Sequence, residues 1–415
     1  MAVVGTISLP GDKSISHRAL MIASISKSKS KIRNLSTGQD VASTISCLTK
    51  CGVKFNQKRY ETTIYGGSLR QPADELLDCG NSGTTMRLLS GLLAGQGIEA
   101  TLIGDRSLSL RPMRRIIEPL IKMGVNISSN NSLAPISIKK SHLNPIHHYS
   151  PIASAQVKSC ILFAGLGADE PTKITEPILS RNHTEIMLKH AGANIHVSKE
   201  CISISKSTNL IPLDFTIPSD PSTAAFFIAA AILSKGSKLQ IKNVLLNETR
   251  SGFIKAIIRM GGKIVIQESW IENGEKIGNI EIRTSLLKSI QINKDEVPSI
   301  IDELPIFAIM ATQAVGETIV SGAKELRIKE SDRISTICNN LKLIGADVKE
   351  LDDGFIINGP TKLQGASLKS FDDHRIAMGF SIADLITDGN IQLDNRECIA
   401  VSFPEFDTTI KEIVQ

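Results

Sequence analysis

Aromatic residues are scarce in this chain. They make up 4% of 415 residues, with one Trp and three Tyr. Proteins that grip single-stranded nucleic acid stack bases on aromatic faces, so a base-stacking platform is excluded. Charge of one sign is also lacking. Lys and Arg outnumber Asp and Glu by 47 to 42, and the net +5 is spread along the chain. A nucleic-acid binder would gather such an excess into a stripe. The basic tract Lys27-Ser28-Lys29-Ser30-Lys31 reads as a solvated turn between a helix and a strand. The seven Cys show no CxxC pair and no regular spacing, which argues against a metal centre or a disulfide framework. Free thiols in a reducing cytoplasm fit better. Met1 to Pro10 has no basic region leading into a long apolar run, so no secretory signal is expected. The most apolar stretch, Ala224 to Leu233, falls well short of the roughly 20 residues that span a bilayer. It reads as a buried core helix, and the partners expected are small molecules, with no nucleic acid and no membrane.

The chain has 41% hydrophobic residues, enough for real cores, and a length that predicts two to three domains. Its organisation is a weak repeat. An apolar, Ala/Gly/Ser-rich helix pattern, a turn and an alternating strand pattern occur together six times, with a period of about 70 residues. The occurrences are Ser16 to Leu35, Thr85 to Gly104, Lys158 to Glu176, Ala224 to Val244, Pro305 to Ala323 and Arg375 to Asn395. A second, amphipathic helix pattern follows most of them and ends at Gly52, Gly124, Gly192, Gly261 or Gly345. Glycine suits the residue after a helix, which often needs a left-handed backbone. The sixth repeat runs out inside its second helix. A solenoid is one reading of such a repeat. Two α/β lobes of three units each, with a site between them, accommodate the many short strands better.

Three distant stretches share an unusual mixture of charges: Gly11-Asp12-Lys13-Ser14-Ile15-Ser16-His17-Arg18, Lys329-Glu330-Ser331-Asp332-Arg333 and Asp372-Asp373-His374-Arg375. Basic groups hold anionic oxygens, and carboxylates and imidazoles move protons. Together they predict a site for a multiply anionic small molecule. The first stretch is not a P-loop, because the glycine pattern is absent. It still sets Lys13 and Ser14 at a helix start, where free N–H groups attract anions, with Arg18 one turn on. Cys79-Gly80-Asn81-Ser82-Gly83-Thr84-Thr85-Met86-Arg87, Arg111-Pro112, Ser154-Ala155-Gln156 and Arg181-Asn182-His183-Thr184-Glu185 occupy comparable junctions before helices.

With these residues in view, the chain resembles the 5-enolpyruvylshikimate-3-phosphate synthases almost end to end. The resemblance runs through Gly11 to Arg18, Gly80 to Leu88, Arg111-Pro112, Ser154 to Lys158, Ser180 to Glu185, Asp302-Glu303, Lys329 to Arg333, Asp372 to Met378 and Ser402-Phe403-Pro404. It implies an α/β fold of two lobes, each of three repeated βαβαββ-type units, with the active site in the cleft between them. The lobes expected are residues 1–11 plus 222–415 and residues 12–221. It implies transfer of the enolpyruvyl group of phosphoenolpyruvate to the 5-hydroxyl of shikimate 3-phosphate, in the shikimate pathway to chorismate and the aromatic amino acids. No cofactor or metal is implied, and we expect a cytoplasmic monomer that glyphosate targets.

The resemblance also assigns roles. Lys13, Ser14, Arg18, Ser154, Ala155, Gln156, Arg181, Asp302 and Lys329 would bind shikimate 3-phosphate, with Ser180 beside Arg181. Lys13, Gly83, Thr84, Arg111, Gln156, Arg333 and Arg375 would bind phosphoenolpyruvate. Asp302 would accept the hydroxyl proton and Glu330 would protonate the methylene carbon, with Lys13 a third catalytic group. Val401 and Ser402 depart from a pattern that carries Lys in some members, Glu325 stands where others have Asn, and Leu88 replaces a Pro. Two other functions remain open: an enolpyruvyl transfer to UDP-N-acetylglucosamine, for which Cys79 lies in the wrong context, and a non-catalytic anion- or RNA-binding repeat, which leaves Asp302 and Glu330 unexplained.

Overall fold

Six helices carry the apolar halves of the repeats, and almost every residue on them is buried. In this computed structural model, which describes residues 1–198 and 201–415, they are α1 (Lys13–Ser24), α3 (Gly83–Gln96), α4 (Ala155–Gly165), α6 (Pro221–Leu233), α7 (Leu304–Ala311) and α9 (His374–Ala383). Helices that are apolar all round belong inside a core. Three amphipathic helices back the regions discussed below: α2 (Gln39–Lys50), α5 (His183–His190) and α8 (Arg333–Leu343). Capping follows the sequence. Asp12, Ser82, Asp220 and Asp373 each accept a backbone N–H of the first turn that follows. Gly52, Gly124, Gly192, Gly261 and Gly345 all have positive φ, between 78° and 91°, as expected for a glycine after a helix. No helix among the described residues is long and apolar enough to cross a membrane.

The chain divides into two units: residues 1–10, 218–271 and 276–415, and residues 11–217 and 272–275. The second unit holds three four-stranded sheets of one design. Asp214–Thr216 pairs in parallel with Lys29–Arg33, which pairs antiparallel with Glu61–Tyr65, which pairs antiparallel with Lys54–Gln57. Leu76–Asp78, Ala100–Ile103, Leu133–Lys139 and Asn126–Asn130 repeat this order, as do His147–Tyr149, Thr172–Thr175, Ile202–Ile204 and Ile195–Val197. Helices α3 and α4 approach closely because small residues face each other. A Cβ on Gly91 would lie 2.0 Å from the Cys160 carbonyl oxygen, and one on Gly95 2.3 Å from that of Phe163.

The first unit repeats the theme. Val4–Ser8 pairs in parallel with Lys238–Leu245, so the first strand belongs with the C-terminal half, as a chain that crosses twice requires. Leu287–Lys288, Ala314–Val320, Gly354–Gly359 and Asp347–Leu351, with Gln291–Ile292 also paired to Ala314–Val320, form a second sheet of five strands, and Ser367–Leu368 with Gln392–Leu393 a two-stranded third. Scarce aromatics are concentrated here. Phe226, Phe227, Phe403 and Phe406 pack with ring centroids 6.0 to 6.3 Å apart, around the Ile/Ala surfaces of α6, α7 and α9.

Candidate active site

In the second unit, four helix starts carry the residues predicted to bind anions. Lys13 opens α1, and its Nζ lies 2.9 Å from Asp40 Oδ2 in the first turn of α2. Ser14 Oγ accepts from Arg181 Nη1 at 3.1 Å, just ahead of α5. Arg18 is 2% exposed. Its guanidinium donates to Thr184 Oγ1 at 2.6 Å, Ser159 Oγ at 2.8 Å and the Ser14 and Ala155 carbonyls, so it stitches α1, α4 and α5 together. The sequence reading gave Arg18 to the ligand and did not foresee this buried position. Ser154 caps α4. Gln156 accepts from Arg87 at 2.7 Å and donates to Thr84 Oγ1 at 2.9 Å, which ties α4 to the start of α3. Arg111 donates to Asn81 Oδ1 at 2.6 Å beside Gly83. Behind this face, His17 Nδ1 lies 2.7 Å from Thr44 Oγ1. Burial, then the charges of Lys13 and Arg18, push its imidazole well below the usual value, so it is neutral.

In the first unit, the second and third charged stretches meet. Arg333 is the centre. Its Nε and Nη2 donate to Asp373 at 2.7 and 3.1 Å, and Nη2 also donates to Glu330 at 2.7 Å. Asp302 faces three cations: Lys329 at 3.5 Å, Arg333 at 3.6 Å and Arg375 at 3.8 Å. Arg375 also donates to the Asp302 carbonyl at 3.0 Å. Three carboxylates and three cations thus form one balanced cluster. Burial, the largest single influence, would raise the Asp373 carboxyl, but the Arg333 charge, the hydrogen bond from Arg333 and the nearby His374 together hold that group below its ordinary value. Burial would likewise lower Arg333, and Asp373 and Glu330 hold it above its ordinary value instead. Asp373 caps α9 as well, accepting from Arg375 N at 3.0 Å.

The two charged stretches at Lys329–Arg333 and Asp372–Arg375 therefore form one cluster, whereas Gly11–Arg18 belongs to the other unit. Reading the sequence missed Asp40 and Asp373 as partners of site cations, and Arg87 as the donor to Gln156. Arg87 and Asp373 lay inside quoted motifs. Asp40 carried no local mark. Cys79, the cysteine weighed above for transfer to UDP-N-acetylglucosamine, is fully buried, and its hydrogen bond with Cys47 and its burial push the thiol well above the usual range.

Comparison with known proteins decides the family. The sequence matches the family model described as EPSP synthase (3-phosphoshikimate 1-carboxyvinyltransferase) over residues 1–410. The chain belongs to the EPSP synthase family. The 3-phosphoshikimate 1-carboxyvinyltransferase of Oceanobacillus iheyensis is 45% identical over 416 residues, covering 99% of this chain and 97% of that protein. The EPSP synthase of Acinetobacter baumannii superposes with a TM-score of 0.89 at 40% identity, covering 99% of this chain and 96% of the other. The enolpyruvyl transferase NikO of Streptomyces tendae shares the fold alone, with a TM-score of 0.81 at 16% identity. As an EPSP synthase, the chain is a transferase of the shikimate pathway, and members of the family use shikimate 3-phosphate and phosphoenolpyruvate.

Proposed function

We propose that this EPSP synthase divides its two substrates among the side chains just described. Lys13, Ser14, Arg18, Ser154, Ala155, Gln156 and Arg181 hold shikimate 3-phosphate, with Lys329 and Asp302 at its reacting hydroxyl. Lys13, Gly83, Thr84, Arg111, Gln156, Arg333 and Arg375 hold phosphoenolpyruvate. The two anions repel each other in water, and fixed cations offset that repulsion while orienting the reacting atoms. In the addition, the 5-hydroxyl oxygen bonds to the substituted carbon of the enol. Asp302 takes the hydroxyl proton, and Glu330 gives a proton to the methylene carbon. Elimination returns a methyl proton to Glu330 and expels phosphate, which carries off the proton held by Asp302, so protons balance over the cycle.

The observation that carries this reading is the pair Asp302 and Glu330 on opposite flanks of one guanidinium, Arg333, at 3.6 and 2.7 Å. Separate surroundings let two carboxylates do separate proton work. Phosphate release from shikimate 3-phosphate and phosphoenolpyruvate tests the reading. Glu330→Gln should lose about 100-fold or more in kcat with substrate binding largely kept. Near-normal turnover would assign the proton to another group, Lys13 first. We further propose a monomer in the cytoplasm, a compartment with which seven free cysteines, six of them buried, are compatible.

A further inference from the structure

Lys158, Glu176 and Glu185 form a buried charged cluster that no step of the reaction uses. Lys158 lies on α4, two residues beyond Gln156. Its Nζ is 2.7 Å from Glu176 Oε2 and 2.8 Å from Glu185 Oε1, and the three side chains are 2%, 1% and 3% exposed. The third donor of the ammonium reaches the Ser180 carbonyl at 3.4 Å. Glu176, just past the strand Thr172–Thr175, accepts from Ser180 Oγ at 2.7 Å and from Ser180 N at 3.4 Å. Every polar group of Ser180 is therefore held by this cluster. The next residue is Arg181, whose guanidinium reaches Ser14.

Burying three charges is a poor route to stability, since well-packed apolar groups of the same volume do as well or better. What an apolar cluster cannot do is grip a backbone carbonyl, a backbone N–H and a hydroxyl at once. We propose that the Lys158–Glu176–Glu185 cluster is the positioning device for the phosphate monoester of shikimate 3-phosphate, acting through the Ser180–Arg181 turn without touching the substrate. This rests on the assignment of Arg181 to that phosphate. An arginine on a turn already fixed loses less freedom on binding, so the cluster raises affinity for the phosphate ester and leaves the chemical step alone.

Glu176→Gln keeps the shape and one oxygen to accept from Ser180 Oγ, but it removes the charge that holds Lys158 and puts an NH2 group where the second oxygen accepted from Ser180 N. We expect it to weaken shikimate 3-phosphate binding, measured by calorimetry without phosphoenolpyruvate, by roughly tenfold, on the order of the cost of one newly ordered arginine. At saturating shikimate 3-phosphate, kcat and the KM for phosphoenolpyruvate should stay within about twofold of the parent, because the cluster acts on ground-state binding alone. In an Arg181→Ala background, Glu176→Gln should add less than about twofold, since residues acting through one another are not additive. A plain structural staple would give additive losses or a fall in kcat, and either overturns the proposal. Lys158→Met is the harsher variant. It leaves two carboxylates facing each other and can cost the fold, in which case Glu176→Gln carries the test. A parent that binds no shikimate 3-phosphate overturns the substrate assignment and this inference together. A parent that binds it while Glu176→Gln binds equally well overturns this inference alone.

Discussion

Gly91→Ala should disturb both stability and catalysis, because α3 and α4 meet there with no space for a methyl group. The added Cβ would sit 2.0 Å from the Cys160 carbonyl oxygen and 2.7 and 2.8 Å from its carbonyl and α carbons. Those are backbone atoms, so nothing can swing aside, and the helices must part by roughly 1 Å in a close-packed interior. Overpacking of this kind costs about 1–3 kcal/mol, and two helix backbones place it at the upper end. Alanine returns about 0.5–1 kcal/mol relative to glycine in a helix. A net loss of about 2 kcal/mol remains, or roughly 4–8 °C in melting temperature for a unit of this size. Gly379→Ala on α9 is the control. Its Cβ would meet only Ile309 Cδ1, at 3.2 Å, the mobile end of a side chain. That variant should be neutral or slightly stabilised. The same displacement in Gly91→Ala would strain the Arg87–Gln156–Thr84 link at the helix starts, so kcat/KM should fall too. Thermal unfolding and steady-state assays on both variants decide the matter. Equal stability of Gly91→Ala and the parent would refute the close-packing argument.

Asp373→Asn would leave Arg333 buried without its principal anion, so a loss of about 3–5 kcal/mol is expected by denaturant unfolding, with turnover reduced as Glu330 and Asp302 lose their fixed neighbour. The Asp373 carboxyl is depressed in the folded protein, so its stabilisation holds above the ordinary carboxylate range and is lost as pH falls below about 4. The acid limb of the parent should therefore be steeper than that of Asp373→Asn. His17 is also depressed, and the unfolded chain takes up its proton first as pH falls below about 6.5. Stability should then drop by up to about 1.4 kcal/mol per pH unit below that point, a slope that His17→Gln removes. Glyphosate, with a phosphonate and a carboxylate, should compete with phosphoenolpyruvate. Gly83→Ala puts a Cβ 2.7 Å from Arg87 Nη1 and 3.6 Å from Arg111 Nη1, which should weaken the inhibitor more than the substrate in assays at several phosphoenolpyruvate concentrations.

Local chemistry was legible in the sequence. The helix starts at Lys13, Gly83, Ala155 and His374 announce themselves through small or capping residues, and the glycines at 52, 124, 192, 261 and 345 mark helix ends because backbone geometry there admits little else. The joining of Glu330 and Arg333 to Asp373 could be anticipated only as a grouping of charges. Which cation faces which anion could not be read. Lys13 with Asp40 and Lys158 with Glu176 and Glu185 are pairs made by tertiary folding between residues whose own neighbourhoods have no special period. Arg18 shows the same limit from the other side. A charged residue in a binding motif reads as a ligand contact, and nothing in the sequence shows that the Arg18 guanidinium also donates to buried hydroxyls and carbonyls of three helices.

The pairing of Val4–Ser8 with Lys238–Lys242 has a consequence for how the chain is made. This strand leaves the ribosome ahead of its partner, which follows 234 positions later. At synthesis rates of about 5–20 residues per second, that is a wait on the order of tens of seconds. Meanwhile residues 11–217, nearly the whole of the second unit, are available to fold behind it. The strand of the pair made first is thus completed late, and its open edge is exposed to chaperones or to wrong partners throughout the interval.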